Sequence, residues 1–180
     1  MIYVFLADGF EEVEALTPVD ILRRAEIAVS TVGIGSKRIS GSHGIDIICD
    51  FEADEVKPNS DLVGIILPGG MPGTKNLGNS STVHDFIDYA AQNHLLIAAI
   101  CAAPSILGRK GLLEGKRAVC FPSFEKDLIN ATIAYGYVCI DDNYITAKGA
   151  GASVDFALAI VAYFKGEREA RKLRESIQCP

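Results

Sequence analysis

Short apolar runs of β type alternate with helical segments along most of this 180-residue chain. The β-like runs are IYVFL, AVSTVGI, DLVGIILP, LLIAAI and YITA, and the helical segments include EEVEALTPVDILRRA, TVHDFIDYAAQN and SVDFALAIVAYF. This alternation is typical of a parallel sheet with helices on both faces. One segment, KRISGSHGIDIICD, interrupts it and predicts a small hairpin insertion. The sequence therefore predicts an α/β fold with a mostly parallel central sheet.

Length and composition predict a single domain over residues 1–180, because 49% of the residues are hydrophobic and no repeat or linker divides them. The net charge of -6 argues against a nucleic-acid surface. The first apolar run has no basic region or cleavage site, and VDFALAIVAYF is too short to cross a bilayer. We therefore expect a cytoplasmic protein without nucleic-acid or membrane partners.

The cysteines and histidines form neither a disulfide framework nor a metal-binding pattern. The chain has no CxxC, HxH or HxxxH spacing, and its cysteine number is odd. We predict reduced thiols, no metal and no cofactor, with the histidines on loops or solvated helix faces and the cysteines other than Cys101 buried or incidental. The residues concerned are His43, His84, His94, Cys49, Cys120, Cys139 and Cys179.

Cys101 stands where a buried strand meets a helix. The run LLIAAI ends at this residue, and AAPS then begins a helix with Pro104 near its start, where a missing N–H does no harm. Ligands of open α/β sheets bind at the carboxyl ends of strands, and a helix N-terminus can lower the pKa of a thiol. The pattern favours a reactive nucleophile on a tight elbow. The alternative is a small buried hydrophobic residue, the usual role of a free cysteine.

A second strand end carries the adjacent glycines Gly69 and Gly70. Glycine allows backbone N–H groups to approach a ligand closely. The segment LPGGMPGTKNLG matches neither GxGxxG nor the P-loop pattern, so nucleotide binding is disfavoured.

Glu14 places a carboxylate on an otherwise apolar helix face, which it shares with Phe10. Glu11 and Glu12 instead fall in the first turn, where the helix dipole favours acids. The ends of the first strand and of the LLIAAI strand can be adjacent in such a sheet, which would bring Glu14 to Cys101. Two anions in contact repel, so one of the pair would hold a proton, and either can be the neutral one. The alternative is a structural carboxylate bonded to backbone N–H groups.

Four segments, ADGFEEVEALTPVDILRRA, ILPGGMPG, AAICAAPSILG and KGAGASVDFALAIV, resemble in this order the ThiJ/PfpI superfamily, in the subgroup of the parkinsonism-associated protein deglycase. The resemblance implies a flavodoxin-like three-layer α/β sandwich, usually a homodimer. It also implies that Cys101 is the nucleophile and that Glu14 is its protonated partner. Backbone amides of Gly69, Gly70 and Ala102 would form the oxyanion pocket.

Two segments depart from the pattern of relatives. Phe121 stands where many relatives carry a histidine, although a bacterial-type subgroup resembles its FPS pattern. The segment KGAGA replaces an RGPGT-like segment, which keeps a cation at Lys148 and loses a hydroxyl.

Two other enzyme classes are disfavoured. The peptidase branch places a histidine directly after its cysteine, where this chain has Ala102. Glutamine amidotransferases of related fold need a histidine downstream, and none follows His94.

The resemblance therefore predicts a glutathione-independent glyoxalase or deglycase that acts on α-oxoaldehydes or glycated adducts. The alternative is an oxidative-stress sensor or redox-regulated chaperone, in which Cys101 is oxidised to a sulfinate. A homodimer would form through the first helix and the GSHGIDIIC hairpin, with Cys49 near the contact.

Overall fold

The computed structural model describes residues 1–180 and contains a seven-stranded sheet at its centre. The strand order is β10-β11-β7-β6-β1-β2-β5, with β10 antiparallel to β11 and every other neighbouring pair parallel. These strands are β1 (Ile2–Leu6), β2 (Val29–Gly33), β5 (Phe51–Glu52), β6 (Gly64–Leu67), β7 (Leu96–Ile100), β10 (Val138–Asp141) and β11 (Tyr144–Ala147). The mostly parallel sheet predicted from the sequence is confirmed.

Helices cover both faces of this sheet. They are α1 (Glu12–Arg24), α2 (Gly73–Gly78), α3 (Ser81–Gln92), α4 (Pro104–Arg109), α5 (Ser153–Lys165) and α6 (Glu167–Ser176). None of them is both long enough and apolar enough to span a bilayer.

The sheet separates two hydrophobic cores because successive side chains of a strand point to opposite faces. In β1, Ile2 and Val4 join the core under α1 and α5, whereas Phe5 joins the core under α3. In β7, Ile100 and Ile97 divide between the two cores in the same way. Strands buried on both faces explain the nearly continuous apolar runs of the sequence.

Two small two-stranded sheets lie outside the central one. The predicted hairpin is confirmed as the antiparallel pair β3 (Arg38–Ser40) and β4 (Asp46–Ile48). The second sheet pairs β8 (Arg117–Ala118) with β9 (Thr132–Ile133) in parallel.

The expected adjacency of the first strand and the LLIAAI strand is wrong, because β6 lies between β1 and β7. The two strand ends are nevertheless joined through the loop that follows β6. The Glu11 N–H donates to the Gly69 carbonyl oxygen over 3.0 Å, so the start of α1 rests on this loop. The loop thereby provides the route by which Glu14 reaches Cys101.

Candidate active site

Cys101 occupies a tight elbow between β7 and α4. Its φ of 65° lies in the left-handed region, which is uncommon for a residue other than glycine and costs about 1–3 kcal/mol. Its N–H donates to the Ala147 carbonyl over 2.9 Å, which extends the β7–β11 pairing by one residue. The helix begins at Pro104, and both residues between are buried alanines. The half-buried thiol is thus held at the carboxyl edge of the sheet.

Glu14 points from α1 toward this elbow and is only 1% exposed. The Gly69 N–H donates to Glu14 Oε2 over 2.9 Å. A methyl group on Gly69 would lie 2.6 Å from that oxygen and 2.5 Å from the Cys101 Cβ. Gly69 is therefore the residue that allows the carboxyl and the thiol to meet.

The pKa values of the Glu14 carboxyl and the Cys101 thiol are both raised. Burial raises the pKa of Glu14 to about 7, against the lowering effect of its hydrogen bonds with Cys101 and Gly69. Burial and then the charge of Glu14 raise the pKa of Cys101 to about 12. The expected lowering of the thiol pKa by the helix N-terminus is thus outweighed, and α4 itself begins three residues later.

The two groups behave as one acid with two protons. The first proton leaves near pH 7, and the second leaves only at much higher pH. Between these limits one proton is shared, so a thiolate beside a neutral carboxylic acid and a thiol beside a carboxylate have the same total charge.

Two backbone amides, those of Gly70 and Ala102, act to lower the pKa of the Cys101 thiol and so favour its thiolate. Gly70 has a φ of 88°, and a side chain there would collide with the backbone of Gly9 and Glu11. The Gly69 amide, which the resemblance places with these two, instead donates to Glu14. The amides that favour the thiolate are therefore two rather than three.

Phe121, which the resemblance places where many relatives would carry a histidine, stands beside the elbow. Its N–H donates to the Cys101 carbonyl over 2.7 Å, and its ring borders Gly149. No imidazole is near the sulfur, since His43, His84 and His94 lie on a hairpin turn, on α3 and after α3. Glu14 is accordingly the side chain that can move a proton at Cys101.

Glu12 has a role that the sequence did not indicate, because the carboxylate is 4% exposed and holds the β3–β4 hairpin. It accepts hydrogen bonds from the His43 N–H over 2.7 Å and from the Ile45 N–H over 3.4 Å. Burial acts to raise the pKa of Glu12, but hydrogen bonds from the His43 ring and from the backbone of Glu12, His43 and Ile45 together lower it to about 2. The hydrogen bond to Glu12 in turn raises the pKa of His43. The position of Glu12 in the first turn of α1 predicts only a contact with the helix dipole, and the polar turn GSHG is the one further signal in the sequence.

Glu11, Glu12 and His43 are also the one group of side chains in the chain with ligand atoms close enough to hold a metal ion, within 4.8 Å of one another. The Glu12 carboxylate is already occupied by the hairpin amides. The absence of a metal stays a prediction.

The other cysteines lie apart from the site. All five thiols are free, and Cys49, Cys120 and Cys139 are buried whereas Cys179 is half-buried. Burial raises the pKa of Cys49 to about 11 and that of Cys120 to about 12. Cys101 differs from them by its left-handed elbow and its partner Glu14 rather than by a lower pKa.

The model of the DJ-1/PfpI family matches residues 1–163. The chain belongs to the DJ-1/PfpI family. Family membership and the α/β fold that the resemblance implied are thus confirmed.

Individual DJ-1/PfpI relatives align over most of the chain. Protein dj-1beta of Drosophila melanogaster is 34% identical over 180 residues, which cover 97% of this chain and 94% of that protein. Glutathione-independent glyoxalase DJR-1.2 of Caenorhabditis elegans is 30% identical over 165 residues, with coverage of 91% and 87%. The match to Protein DJ-1 homolog B of Arabidopsis thaliana, 35% identical over 178 residues, covers 97% of this chain but only 40% of that protein.

The solved structure of oxidized DJ-1 from Toxoplasma gondii has the same fold, with a TM-score of 0.94 at 29% identity. The superposition covers 98% of this chain and 97% of that structure.

Proposed function

We propose that this protein is a glutathione-independent glyoxalase or deglycase that uses Cys101 as its nucleophile and Glu14 as its acid and base. The observation that carries the proposal is the contact of a thiol on a left-handed elbow with a carboxyl that is 1% exposed and has a pKa of about 7. A group with a pKa near the working pH is suited to both accepting and donating a proton. The relative named as a glutathione-independent glyoxalase supports the same chemistry.

In the first step, the Cys101 thiolate adds to the aldehyde carbon of methylglyoxal. A C–S bond forms, and the carbonyl π electrons move to oxygen, where the Gly70 and Ala102 amides can stabilise the developing charge. Glu14 gives its proton to this oxygen, which yields a neutral hemithioacetal.

In the second step, the Glu14 carboxylate removes the hydrogen of the former aldehyde carbon, which gives an enediolate. The hydroxyl proton of that carbon passes to the neighbouring oxygen, and Glu14 returns its proton to the neighbouring carbon, which leaves a thioester. The first carbon is oxidised by two electrons and the second is reduced by two, so no external oxidant is needed. Water then cleaves the thioester, releasing lactate and the thiol. With a glycated amine or thiol, Cys101 forms its C–S bond at the same carbon while the bond from that carbon to the amine or thiol breaks. The amine or thiol is then released with a proton.

The location that we propose is the cytoplasm, because all five thiols are free. Reduced cysteines are the rule in reducing compartments.

The proposal is tested by lactate formation from methylglyoxal without glutathione. We expect many turnovers per protein with the wild type and a loss of at least about 10²-fold in both Cys101→Ser and Glu14→Gln. Circular dichroism should show that both variants are folded. The absence of turnover in the wild type would contradict the proposal.

A second candidate function is oxidation sensing, which the solved oxidized DJ-1 relative supports. Oxidation of the Cys101 thiolate by two molecules of hydrogen peroxide would add two oxygens to the sulfur and release two molecules of water, giving a sulfinate that a protonated Glu14 can hydrogen-bond. A chaperone activity regulated by this oxidation would use the same residues. Mass spectrometry would then show a single gain of two oxygens on Cys101, without repeated consumption of an aldehyde.

A further inference from the structure

A cleft of about 640 Å³ opens beside the elbow, and no step of the proposed reaction uses its outer part. Its walls are formed by Phe121, Tyr137, Lys148 and Gly149. Lys148 directly follows Ala147, whose carbonyl accepts the Cys101 N–H. The cleft adjoins the elbow, because the Phe121 N–H donates to the Cys101 carbonyl and a methyl group on Gly149 would lie 3.8 Å from Glu14 Oε1.

Lys148 provides a positive charge in this cleft that no acidic side chain neutralises. No carboxylate lies within 4.0 Å of its ammonium group, which stands 5.5 Å from the centre of the Tyr137 ring. Asp155 is the only carboxylate that lines the cleft, and it is paired with Arg174. A free cation in a half-buried position attracts an anionic ligand more strongly than one in open solvent.

A backbone donor stands next to this cation. The Gly149 N–H has no hydrogen-bond partner, although Gly149 lines the cleft. Backbone N–H groups beside a lysine are a common means of binding carboxylate or phosphate oxygens.

The aromatic residues that line the cleft indicate which kind of ligand would carry the anionic group. Phe121 is 47% exposed and Tyr137 is 71% exposed, so two aromatic rings face solvent in the cleft. Aromatic rings prefer to contact other rings and apolar groups, and exposed ones beside a reactive residue favour a ligand with a planar apolar part.

We propose that this cleft is a substrate subsite for an anionic planar group, so that the preferred substrates are α-oxoaldehydes that carry a carboxylate on an aromatic or comparably apolar group. The aldehyde would meet Cys101 while the carboxylate binds the Lys148 ammonium and the Gly149 N–H. This inference rests on the proposed function for its substrate class, but the binding site itself can be tested without turnover.

The binding test uses benzoate as the probe and neutral benzamide as its matched control. Titrations followed by NMR should show that the wild type binds benzoate about 5- to 10-fold more tightly than benzamide, and that Lys148→Gln removes this difference. Lys126→Gln removes an exposed cation outside the cleft, and this variant should still bind benzoate more tightly than benzamide. Equal binding of the two probes, or unchanged benzoate binding by Lys148→Gln, would overturn the subsite.

The kinetic test compares para-carboxyphenylglyoxal with phenylglyoxal, which share the same reacting group. The ratio of their kcat/KM values should favour the carboxylate substrate by about 5- to 10-fold in the wild type and fall to about one in Lys148→Gln. Equal rates in the wild type would overturn the subsite while leaving the proposed function intact. If neither compound is turned over but benzoate binding still depends on Lys148, the proposed function fails and the anion subsite stands.

Discussion

The carboxyl group of Glu14 is buried, and its burial makes the stability of the protein depend on pH. The pKa of Glu14 is raised from 4.5 to about 7, so ionising this carboxyl costs more free energy in the folded protein than in the unfolded chain. The contribution of Glu14 to stability is therefore complete below pH 4.5 and is lost as the pH rises through 7.

Glu14→Gln removes this ionisation, and we expect the variant to gain stability relative to the wild type as the pH rises. Between pH 4 and pH 8 the difference in unfolding free energy should move in favour of the variant by about 3 kcal/mol. Urea unfolding of both proteins at the two pH values measures it. A difference that stays constant with pH would show that Glu14 is not a buried, raised-pKa acid.

Gly69 is the contact point of the pair, and Gly69→Ala should separate Glu14 from Cys101. The added methyl group would lie 2.6 Å from Glu14 Oε2, so the site must shift at a cost of about 1–3 kcal/mol. Methylglyoxal turnover should fall about 10²-fold, because a displacement of this size misplaces the acid and base.

The matched control is Gly78→Ala at the end of α2, where the nearest atom to a new methyl group is 3.6 Å away. This variant should keep its activity and its melting temperature. Full activity in Gly69→Ala would contradict the geometry described for the site.

At the scale of elements, the β3–β4 hairpin is tied to the start of α1 by one buried carboxylate. Glu12→Ala would leave the His43 and Ile45 amides without their acceptor, and we expect a loss of about 1–3 kcal/mol in unfolding free energy. Amide hydrogen exchange should accelerate in residues 41–45 more than in α3.

Asp20→Ala is the matched control on the same helix, since Asp20 forms an exposed pair with Arg24 only. Its effect should stay within about 0.5 kcal/mol. Equal exchange rates in Glu12→Ala and Asp20→Ala would show that the hairpin is held by other contacts.

The elements were predictable to different degrees for physical reasons. Buried strands and amphipathic helices follow from periodicity, and the elbow at Cys101 follows from the change between the two. The position of β6 between β1 and β7 did not follow, because sheet order depends on long-range pairing that local patterns do not record. The hydrogen bond from Gly69 to Glu14 and the hydrogen bonds from the hairpin to Glu12 could not be predicted for the same reason, because each joins segments that are distant in sequence.

At the scale of the whole molecule, α1 and the hairpin expose a set of apolar side chains. These are Val13, Leu16, Ile45 and Ile48, which are 49%, 36%, 54% and 69% exposed. We propose this surface, α1 with the β3–β4 hairpin, as the contact of a homodimer. Cys49 lies beneath it, 2% exposed, so its thiol is not on the contact surface itself.

Size-exclusion chromatography with light scattering should give twice the chain mass of 19.3 kDa at micromolar concentration. Ile48→Lys should shift the protein to the monomer, because it buries a charge in the contact. Ile129→Lys changes a side chain of similar exposure away from this surface and should leave the dimer intact. A monomeric wild type would remove the proposed dimer.

The proton shared by Glu14 and Cys101 is tested most directly by the pH dependence of kcat/KM for methylglyoxal. In the wild type the value should rise through pH 7 and then stay level, because the reactive form appears once the pair has lost its first proton. In Glu14→Gln the rise should move to higher pH and reach a lower level, since burial alone then raises the thiol pKa. A wild-type profile that is flat from pH 5 to pH 9, or one that Glu14→Gln leaves unchanged, would contradict the shared-proton mechanism.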